Sequence, residues 1–411
     1  MFALLRKALE LRVPISLRIR LVRWIAGSAV REFPWALGAL CVIAIAALIA
    51  LGALDSALGV AAVTLLVIAT ALLAMLARQS LGAGERLRQA LERIGPPDEL
   101  DGSRFPLSHV IFPPLMFFAR DVRRTNGVEF VRYGKKALYL DVYAPREDHA
   151  PHPGGDGPRP AIIQVHGGGW LVGSRHEQGI PLLNHLASCG WVGFNIDYRL
   201  SPRATFPEHL IDIKRAIAWV REHAADYGAD PDFICITGGS AGGHLSALAA
   251  LTPDDSPYHP GFEEADTSVA AAVPFYGVYD LTDAEGTYYR ELREWVFERY
   301  VFKATLADEP ERFRAASPTY RVHSGAPPFL VLHGDHDTLV PVADARRFVR
   351  ELRASSDSPV LYAELEGAEH AFDILPSVRT ARVVETIERF LGAVRAREAD
   401  PAALESLESA A

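Results

Sequence analysis

The sequence predicts an α/β domain, a mostly parallel sheet flanked by helices, preceded by a two-helix transmembrane hairpin. From Asn126 onward, short β-branched or aromatic runs alternate with helical stretches, as in parallel strands joined by helices. Before that point, two apolar runs of about twenty residues follow one another, the length a bilayer requires. The 411 residues suffice for one large core and such an appendage.

The hairpin is predicted at Trp35–Leu54 and Ala57–Leu76, joined by Asp55 and Ser56. A buried helical pair in a soluble protein is the alternative, but such helices normally carry a polar stripe. Basic residues flank the hairpin on both outer sides, and the connecting turn has none. The positive-inside tendency therefore predicts an integral protein of the inner or plasma membrane, with both termini on the cytoplasmic side.

This reading divides the chain into five parts. They are a basic cytoplasmic segment (1–34), the transmembrane hairpin (35–76), a linker with amphipathic and Pro-rich stretches (77–125), the α/β domain (126–395) and a flexible tail (396–411). In the linker, Phe105–Phe118 is apolar but is broken by three prolines, so it is expected to touch the bilayer or to cover the core.

Charge is unevenly distributed along the chain. Residues 1–35 carry a net charge of +5 and the remainder −14. A surface that acidic repels a phosphate backbone, which argues against nucleic acid as a partner. Val13–Ile25 mixes arginines with apolar residues, which suits either contact with anionic lipid headgroups or an ordinary cytosolic tail.

The three cysteines, Cys41, Cys189 and Cys235, form no disulfide framework, redox motif or zinc-binding pattern. They are interpreted as packing residues. Neither a metal nor a cofactor is expected.

Eight strands are predicted in the domain, the first two as a hairpin around Gly134 and Lys135. They are Val128–Tyr133, Ala137–Tyr143, Ala161–Val165, Trp191–Ile196, Phe233–Ile236, Ala270–Phe275, Phe329–Leu332 and Val360–Leu365. The aromatic-rich segment 281–317 interrupts the alternation. It is a candidate cap over the site, or else a helical excursion whose aromatics fill a small core of their own.

The nucleophile is predicted at Ser240. The pentapeptide Gly238–Gly242 follows an apolar strand and precedes a helical stretch, which is the strand, sharp turn and helix of a nucleophile elbow. Residues two positions before and after such a serine approach closely, so glycines at 238 and 242 avoid a clash.

An oxyanion site is predicted beside it. The run His166–Trp170 follows a strand, and its glycines allow backbone N–H groups to face a developing negative charge. Gly168 and Gly169 are the expected donors, joined by the N–H of Ala241. A flexible surface turn is the alternative for this run.

The general base is predicted to be His370, because no other histidine follows the strand Phe329–Leu332 and its loop. That loop offers Asp335 and Asp337 as the acid. We favour Asp337, which would orient the imidazole, and interpret Asp335 as a loop-ordering acceptor. A metal site built from this loop is disfavoured, because adjacent side chains of one loop cannot all converge on one ion.

Taken together, the motifs resemble the hormone-sensitive-lipase-like branch of the α/β-hydrolase esterases over Asn126–Leu391. The matching residues are His166–Trp170, Asp197–Leu200 with Phe206-Pro207, Gly238–Gly243, the Asp337 loop through Val340-Pro341, and Glu369-His370. The resemblance implies the α/β-hydrolase fold, a Ser240, Asp337 and His370 triad, and oxyanion roles for Gly168, Gly169 and Ala241. Gly239 and Arg203 depart from the pattern, which usually has Asp and an acidic residue there.

The Gly-Gly-Ser-Ala-Gly-Gly form is also similar to kynurenine-formamidase-like and feruloyl-esterase-like proteins, and the anchored N-terminus to bacterial membrane-associated lipases or esterases. The expected function is cleavage of small-molecule or lipid carboxylic esters through an acyl-enzyme. An amidase or peptidase with the same triad, and a non-catalytic membrane scaffold, are the alternatives.

Overall fold

The computed structural model describes residues 2–11, 13–95, 105, 119–146 and 157–399. The Pro-rich stretch 106–118, part of the Pro- and Gly-rich loop before the third strand, and the chain after residue 399 lie outside the described residues.

One eight-stranded sheet forms the centre of the domain, in the order β1-β2-β4-β3-β5-β6-β7-β8. The strands are β1 Val122–Tyr133, β2 Lys136–Pro145, β3 Arg159–Val165, β4 Val192–Ile196, β5 Ala229–Gly239, β6 Ala271–Phe275, β7 Phe329–Gly334 and β8 Val360–Leu365. β1 and β2 are a hairpin turning at Gly134 and Lys135, β2 is antiparallel to β4, and the other neighbours are parallel. All eight predicted strands are confirmed, and the sheet is mostly parallel as expected.

The helices are α1 Phe2–Glu10, α2 Ile15–Glu32, α3 Pro34–Ala50, α4 Ala57–Leu91, α5 Ile180–Ser188, α6 Glu208–His223, α7 Ala241–Ala250, α8 Pro310–Ala315, α9 Val342–Ser355 and α10 Val378–Ala399. A π-helix spans Leu292–Phe302. Apolar side chains of α6, α7 and α9 pack in one hydrophobic cluster with one face of the sheet, and those of α5 and α10 pack in a second with the other face. Because both faces are covered, β3, β4, β6 and β7 are buried along their whole length except at Arg159, the first residue of β3.

α4 is one continuous helix with two different halves. Ser56 caps its N-terminus by accepting a hydrogen bond from the Gly59 N–H at 3.1 Å. Its apolar first half is exposed, whereas Ala83, Leu87 and Leu91 in its second half are buried in the α5 and α10 cluster. The helix therefore continues past the predicted apolar run and joins the α/β domain directly.

Within the described residues, α4 is the one helix long and apolar enough to cross a membrane, with a mean hydropathy of 2.6 in its best window. The predicted first span corresponds to α3, whose 17 residues reach only about 25 Å. α2 and α3 pass the same test only as a pair, and they are bent by 80° at Phe33. The two-helix transmembrane hairpin therefore stays a prediction.

α1 and α2, which we call the N-terminal cap, pack over the α/β domain. The Tyr300 hydroxyl donates to the Leu11 carbonyl oxygen at 3.1 Å, and the indole N–H of Trp24 donates to the His370 carbonyl oxygen at 2.7 Å. At the end of α2, buried Glu32 pairs with buried Arg379 and accepts from the Ser377 hydroxyl at 2.6 Å. Much of the basic N-terminal segment is thus part of the folded domain.

Candidate active site

Ser240 lies on a sharp turn between β5 and α7. Its backbone has φ 58° and ψ −119°, which is a strained conformation for a residue with a Cβ. A Cβ on Gly238 would lie 2.6 Å from the Gly242 carbonyl oxygen, and one on Gly242 would lie 2.2 Å from that of Val165. The close approach expected from the sequence is present, so both positions need glycine.

Asp337 and His370 are brought together by the loops that follow β7 and β8. The Nδ1 atom of His370 lies 2.6 Å from the Asp337 Oδ2 atom. The other Asp337 oxygen accepts the backbone N–H groups of Leu339 and Val340, at 2.9 and 2.7 Å. These bonds fix the carboxylate, which in turn orients the imidazole.

Burial alone would raise the pKa of Asp337, because it penalises the charged form. The charge of His370 and hydrogen bonds from His333 and His370 outweigh burial and hold the pKa of this carboxyl well below its ordinary value. Asp337 is therefore ionised over the whole physiological range. Asp335 accepts the Gly367 N–H at 2.7 Å, in keeping with a loop-ordering role.

Ser240, His370, Gly168 and Gly169 line one apolar cavity of about 100 Å³. Gly168 has φ +118° and Gly169 φ +62°, and a Cβ on Gly168 would lie 2.2 Å from the Val172 carbonyl oxygen. Ala241 begins α7 directly after Ser240. The arrangement offers a hydroxyl, an imidazole oriented by a buried carboxylate, a glycine loop and a helix N-terminus around one space, which suits acyl transfer.

Two segments close the cavity from above. One is the predicted segment 281–317, which contributes Tyr289, Leu292, Val296 and Tyr300 to the wall. The other is the N-terminal cap, which contributes Leu17, Leu21 and Trp24 among other residues. The sequence interpretation missed this second contribution. Its sequence signal was the helical spacing of Leu17, Leu21 and Trp24 within the basic segment.

Tyr276 and Asp373 also belong to the site and were not predicted. The Tyr276 ring centroid lies 4.6 Å from that of His370, and its hydroxyl donates to Asp373. Burial raises the pKa of Tyr276 well above its ordinary value, so this hydroxyl keeps its proton. A Cβ on Gly239 would lie 2.6 Å from that hydroxyl, which explains why this chain has glycine where the resembled family usually has Asp.

Glu369 connects the two loops that carry the acid and the base. Its Oε1 atom accepts the Thr338 N–H at 2.7 Å and the His370 N–H at 2.9 Å. The pair Glu369-His370, singled out in the sequence, therefore combines an imidazole with the group that fixes its backbone.

Among the described residues, His185, Cys189 and Glu388 form a group with the spacing of metal ligands, away from the cavity. The His185 Nε2 atom already lies 2.8 Å from Glu388 Oε2 and 3.8 Å from Cys189 Sγ. The polar atoms of these three side chains therefore already contact one another, and the group needs no metal ion to hold it together.

The model of the BD-FAE family matches residues 140–352. Two curated proteins of Mycobacterium tuberculosis are similar to this chain. Esterase LipQ is 48% identical over 279 residues, and the match covers 68% of this chain and 64% of LipQ. Probable carboxylic ester hydrolase LipM is 47% identical over 279 residues, and the match covers 68% of this chain and 63% of LipM. The matched part thus spans less than two thirds of the length of either relative.

A solved structure, esterase 2 of Thermogutta terrifontis phosphonylated by sarin, is similar with a TM-score of 0.52 and 28% identity. The match covers 64% of this chain and 88% of the esterase.

Proposed function

The chain belongs to the BD-FAE family of α/β-hydrolases, within the esterase and lipase group that includes hormone-sensitive-lipase-like proteins, and on that premise we propose that it is a membrane-anchored serine hydrolase of carboxylic esters. The observation that carries the proposal is the contact of buried Asp337 with His370, in a cavity that His370 shares with Ser240 on its strained turn. Relatives named as esterases support the ester as the bond cleaved.

In the first step, the Ser240 hydroxyl attacks the ester carbonyl carbon and passes its proton to His370. The tetrahedral intermediate collapses, the alcohol leaves with the proton from His370, and an acyl-enzyme remains. Water then gives a proton to His370 and attacks the acyl carbon. The carboxylic acid leaves, and Ser240 recovers its proton.

Asp337 and the oxyanion donors act on this reaction in different ways. Asp337 accepts the Nδ1–H of His370, which holds Nε2 free to take a proton and stabilises the imidazolium. The N–H groups of Gly168, Gly169 and Ala241 stabilise the negative oxygen of the intermediate, and each such donor contributes about 3 to 4 kcal/mol. The N-terminus of α7 adds a favourable dipole.

Anchoring is proposed through α3 and α4 as a hairpin, with both chain ends and the catalytic domain on the cytoplasmic side. The exposed apolar surface of α3 and of the first half of α4 supports this, as does the basic character of the segments on either side.

The decisive experiment compares Ser240→Ala with Ser246→Ala, a matched change six residues further along α7. With p-nitrophenyl butyrate and detergent-solubilised full-length protein, Ser240→Ala is expected to lower kcat by roughly 10³-fold or more, because it removes the nucleophile. Ser246 does not line the cavity, so its variant should keep wild-type turnover.

A second readout uses covalent chemistry. A fluorophosphonate probe should form a P–O bond with the Ser240 oxygen and release fluoride, which intact mass spectrometry detects. The wild type and Ser246→Ala should be labelled and Ser240→Ala should not. Esterase turnover that survives Ser240→Ala, or faster cleavage of a matched anilide than of the ester, would contradict the proposal.

A further inference from the structure

α2 has two apolar faces instead of one. Its inner face, with Leu17, Leu21 and Trp24, is buried and lines the cavity. Its outer face is also apolar and is exposed, and its members recur at spacings of three and four residues: Ile15, Ile19, Val22, Ala26, Ala29 and Val30. Ile15 is 74% exposed and Ile19 is 53% exposed. A surface helix of a water-soluble domain needs only the first of these faces.

The outer face points away from the catalytic domain, because the inner face contacts it. α3 follows directly and is bent by 80° relative to α2. With α3 along the membrane normal, α2 would therefore lie nearly parallel to the membrane plane. α3 itself exposes large apolar side chains such as Leu40 (61%) and Ile43 (64%), so the apolar outer surface of α2 continues into that of the hairpin.

Cations flank this outer face. Arg23 is exposed on one edge, and Arg18 lies on the opposite edge. Arg23 can reach past the apolar stripe towards anionic headgroups while its stem lies along the stripe, whereas the Nε atom of Arg18 donates to the Val13 carbonyl oxygen at 3.0 Å, which keeps that cation beside the stripe. The net charge of +5 over residues 1–35 has the same sign.

The inner side of α2 is fixed at both ends and in the middle. Ser16 donates to Glu291 at 2.5 Å, Trp24 donates to the carbonyl oxygen of His370, and Glu32 pairs with Arg379. The outer face is thus presented in one fixed orientation relative to the cavity beneath it.

We propose that the outer face of α2 lies in the interfacial layer of an anionic bilayer, and that this holds the catalytic cavity, which is lined by the inner face of the same helix, one helix width from the lipid. Resting on the proposed esterase function, this assigns the substrate class as long-chain acyl esters held in the membrane. Such chains exchange one apolar environment for another, because the bilayer interior and the cavity walls are both apolar. The helix separates the two apolar environments by its own width of about 10 Å.

The first test measures where Ile19 lies and requires no turnover. In a Cys41→Ala background, whose remaining Cys189 and Cys235 are buried, Ile19→Cys carries an environment-sensitive nitrobenzoxadiazole label. Full-length protein is reconstituted in vesicles of phosphatidylcholine and phosphatidylglycerol. Lipids with a doxyl group high on the acyl chain should quench this label several-fold more strongly than the same label on Arg350→Cys, an exposed position of α9.

Iodide in the water should quench the Arg350→Cys label more strongly than the Ile19→Cys label. A label at 19 that iodide reaches as readily as at 350 overturns the proposal. A label at 19 that is shielded from both quenchers also overturns it, because a second copy or another protein would then cover the face.

The second test uses Ile19→Glu with Val22→Glu, which places two charges in the proposed membrane contact. Hydrolysis of a long-chain ester in phosphatidylglycerol-containing vesicles should fall about tenfold or more, the effect of 1.4 kcal/mol or more. Cleavage of water-soluble p-nitrophenyl acetate should stay at the wild-type rate, because neither residue lines the cavity. Lys135→Glu changes the net charge equally at a distant β-turn and should affect neither substrate.

Equal loss on both substrates, or none on the vesicle-borne ester, overturns the proposal. The outcomes are distinct from those that test the esterase itself. Loss of the Ser240 dependence on the soluble ester rejects the proposed function, whereas the position of the label at 19 is independent of catalysis.

Discussion

Asp337 and Asp344 are two buried carboxyls whose surroundings shift their pKa values in opposite directions. Burial penalises both charges. At Asp337, the charge of His370 and the hydrogen bonds from His333 and His370 outweigh that penalty, and the pKa lies below its ordinary value. At Asp344, the hydroxyl of Tyr288 and the N–H of Tyr279 do not, and burial raises the pKa to about 6. The structure stabilises the charge that the proposed reaction uses and only tolerates the other.

The raised pKa of Asp344 makes a prediction about stability and pH. A carboxyl with a higher pKa in the folded state contributes most to stability below its ordinary value of 3.8, and that contribution is lost as the pH rises to about 6. A shift of this size corresponds to about 3 kcal/mol. Asp344→Asn does not titrate and can still accept both hydrogen bonds, so it should gain stability relative to wild type between pH 4 and pH 7.

Denaturation of the solubilised protein at several pH values measures this gain. Asp357→Asn, at an exposed position, serves as the control and should follow the wild type. Parallel stability curves for wild type and Asp344→Asn across this range would contradict the prediction.

At the scale of elements, local patterns were sufficient to predict the sheet. Runs such as Ala161–Val165 are short, β-branched and bounded by glycine or proline, so their strand character is encoded locally, although β1 and β5 extend several residues beyond the predicted limits. The chemistry-bearing loops could be predicted for the same reason, because each follows a strand. The structure brings Asp337 and His370 together, as the sequence order implied.

The N-terminal cap could not be predicted in this way. Trp24 bonds to His370, 346 positions further along the chain, and nothing near Trp24 in the sequence shows what its apolar face will meet. Likewise, the Tyr276 and Asp373 contact depends on two loops that only the folded sheet makes neighbours. Long-range partners of this kind are fixed by tertiary packing.

The end of α2 offers a test of how firmly the cap is held. Glu32→Ala leaves the buried guanidinium of Arg379 without its carboxylate, which is expected to lower the free energy of unfolding by about 3 to 5 kcal/mol. Glu129→Ala breaks an exposed pair with Arg132 and should cost less than about 1 kcal/mol. Denaturant titration of the solubilised proteins compares the two, and equal small losses would show that the cap is held elsewhere.

At the scale of the whole molecule, the apolar first half of α4 and its buried second half assign two environments to one helix. The cap and the sheet lie on the same side of that boundary, since α2 and the second half of α4 both contact the domain. In the proposed membrane orientation, the α/β domain and the N-terminal cap therefore both lie on the cytoplasmic side.

The proposed orientation can be tested by proteolysis. Protease added to intact expressing cells should leave the full-length chain uncut, because both ends are expected on the cytoplasmic side. After the cells are opened, the catalytic domain should become accessible. A protease site inserted between Asp55 and Ser56 should be cut from outside in intact cells, and loss of the C-terminal domain from intact cells would reverse the assignment.

The unbroken helix from Ala57 to Leu91 also sets a fixed distance between its apolar first half and the α/β domain. From Leu76 onward, fifteen residues rise about 22 Å, and no hinge interrupts them. In the proposed anchored form, this continuous helix fixes the height of the α/β domain above the lipid, which a flexible tether would not do. Each residue added to or removed from that stretch would move the site by about 1.5 Å and turn it by about 100°. In the proposed anchored form, the length of this one helix thus sets the distance between the bilayer and the cavity, separately from the catalytic residues.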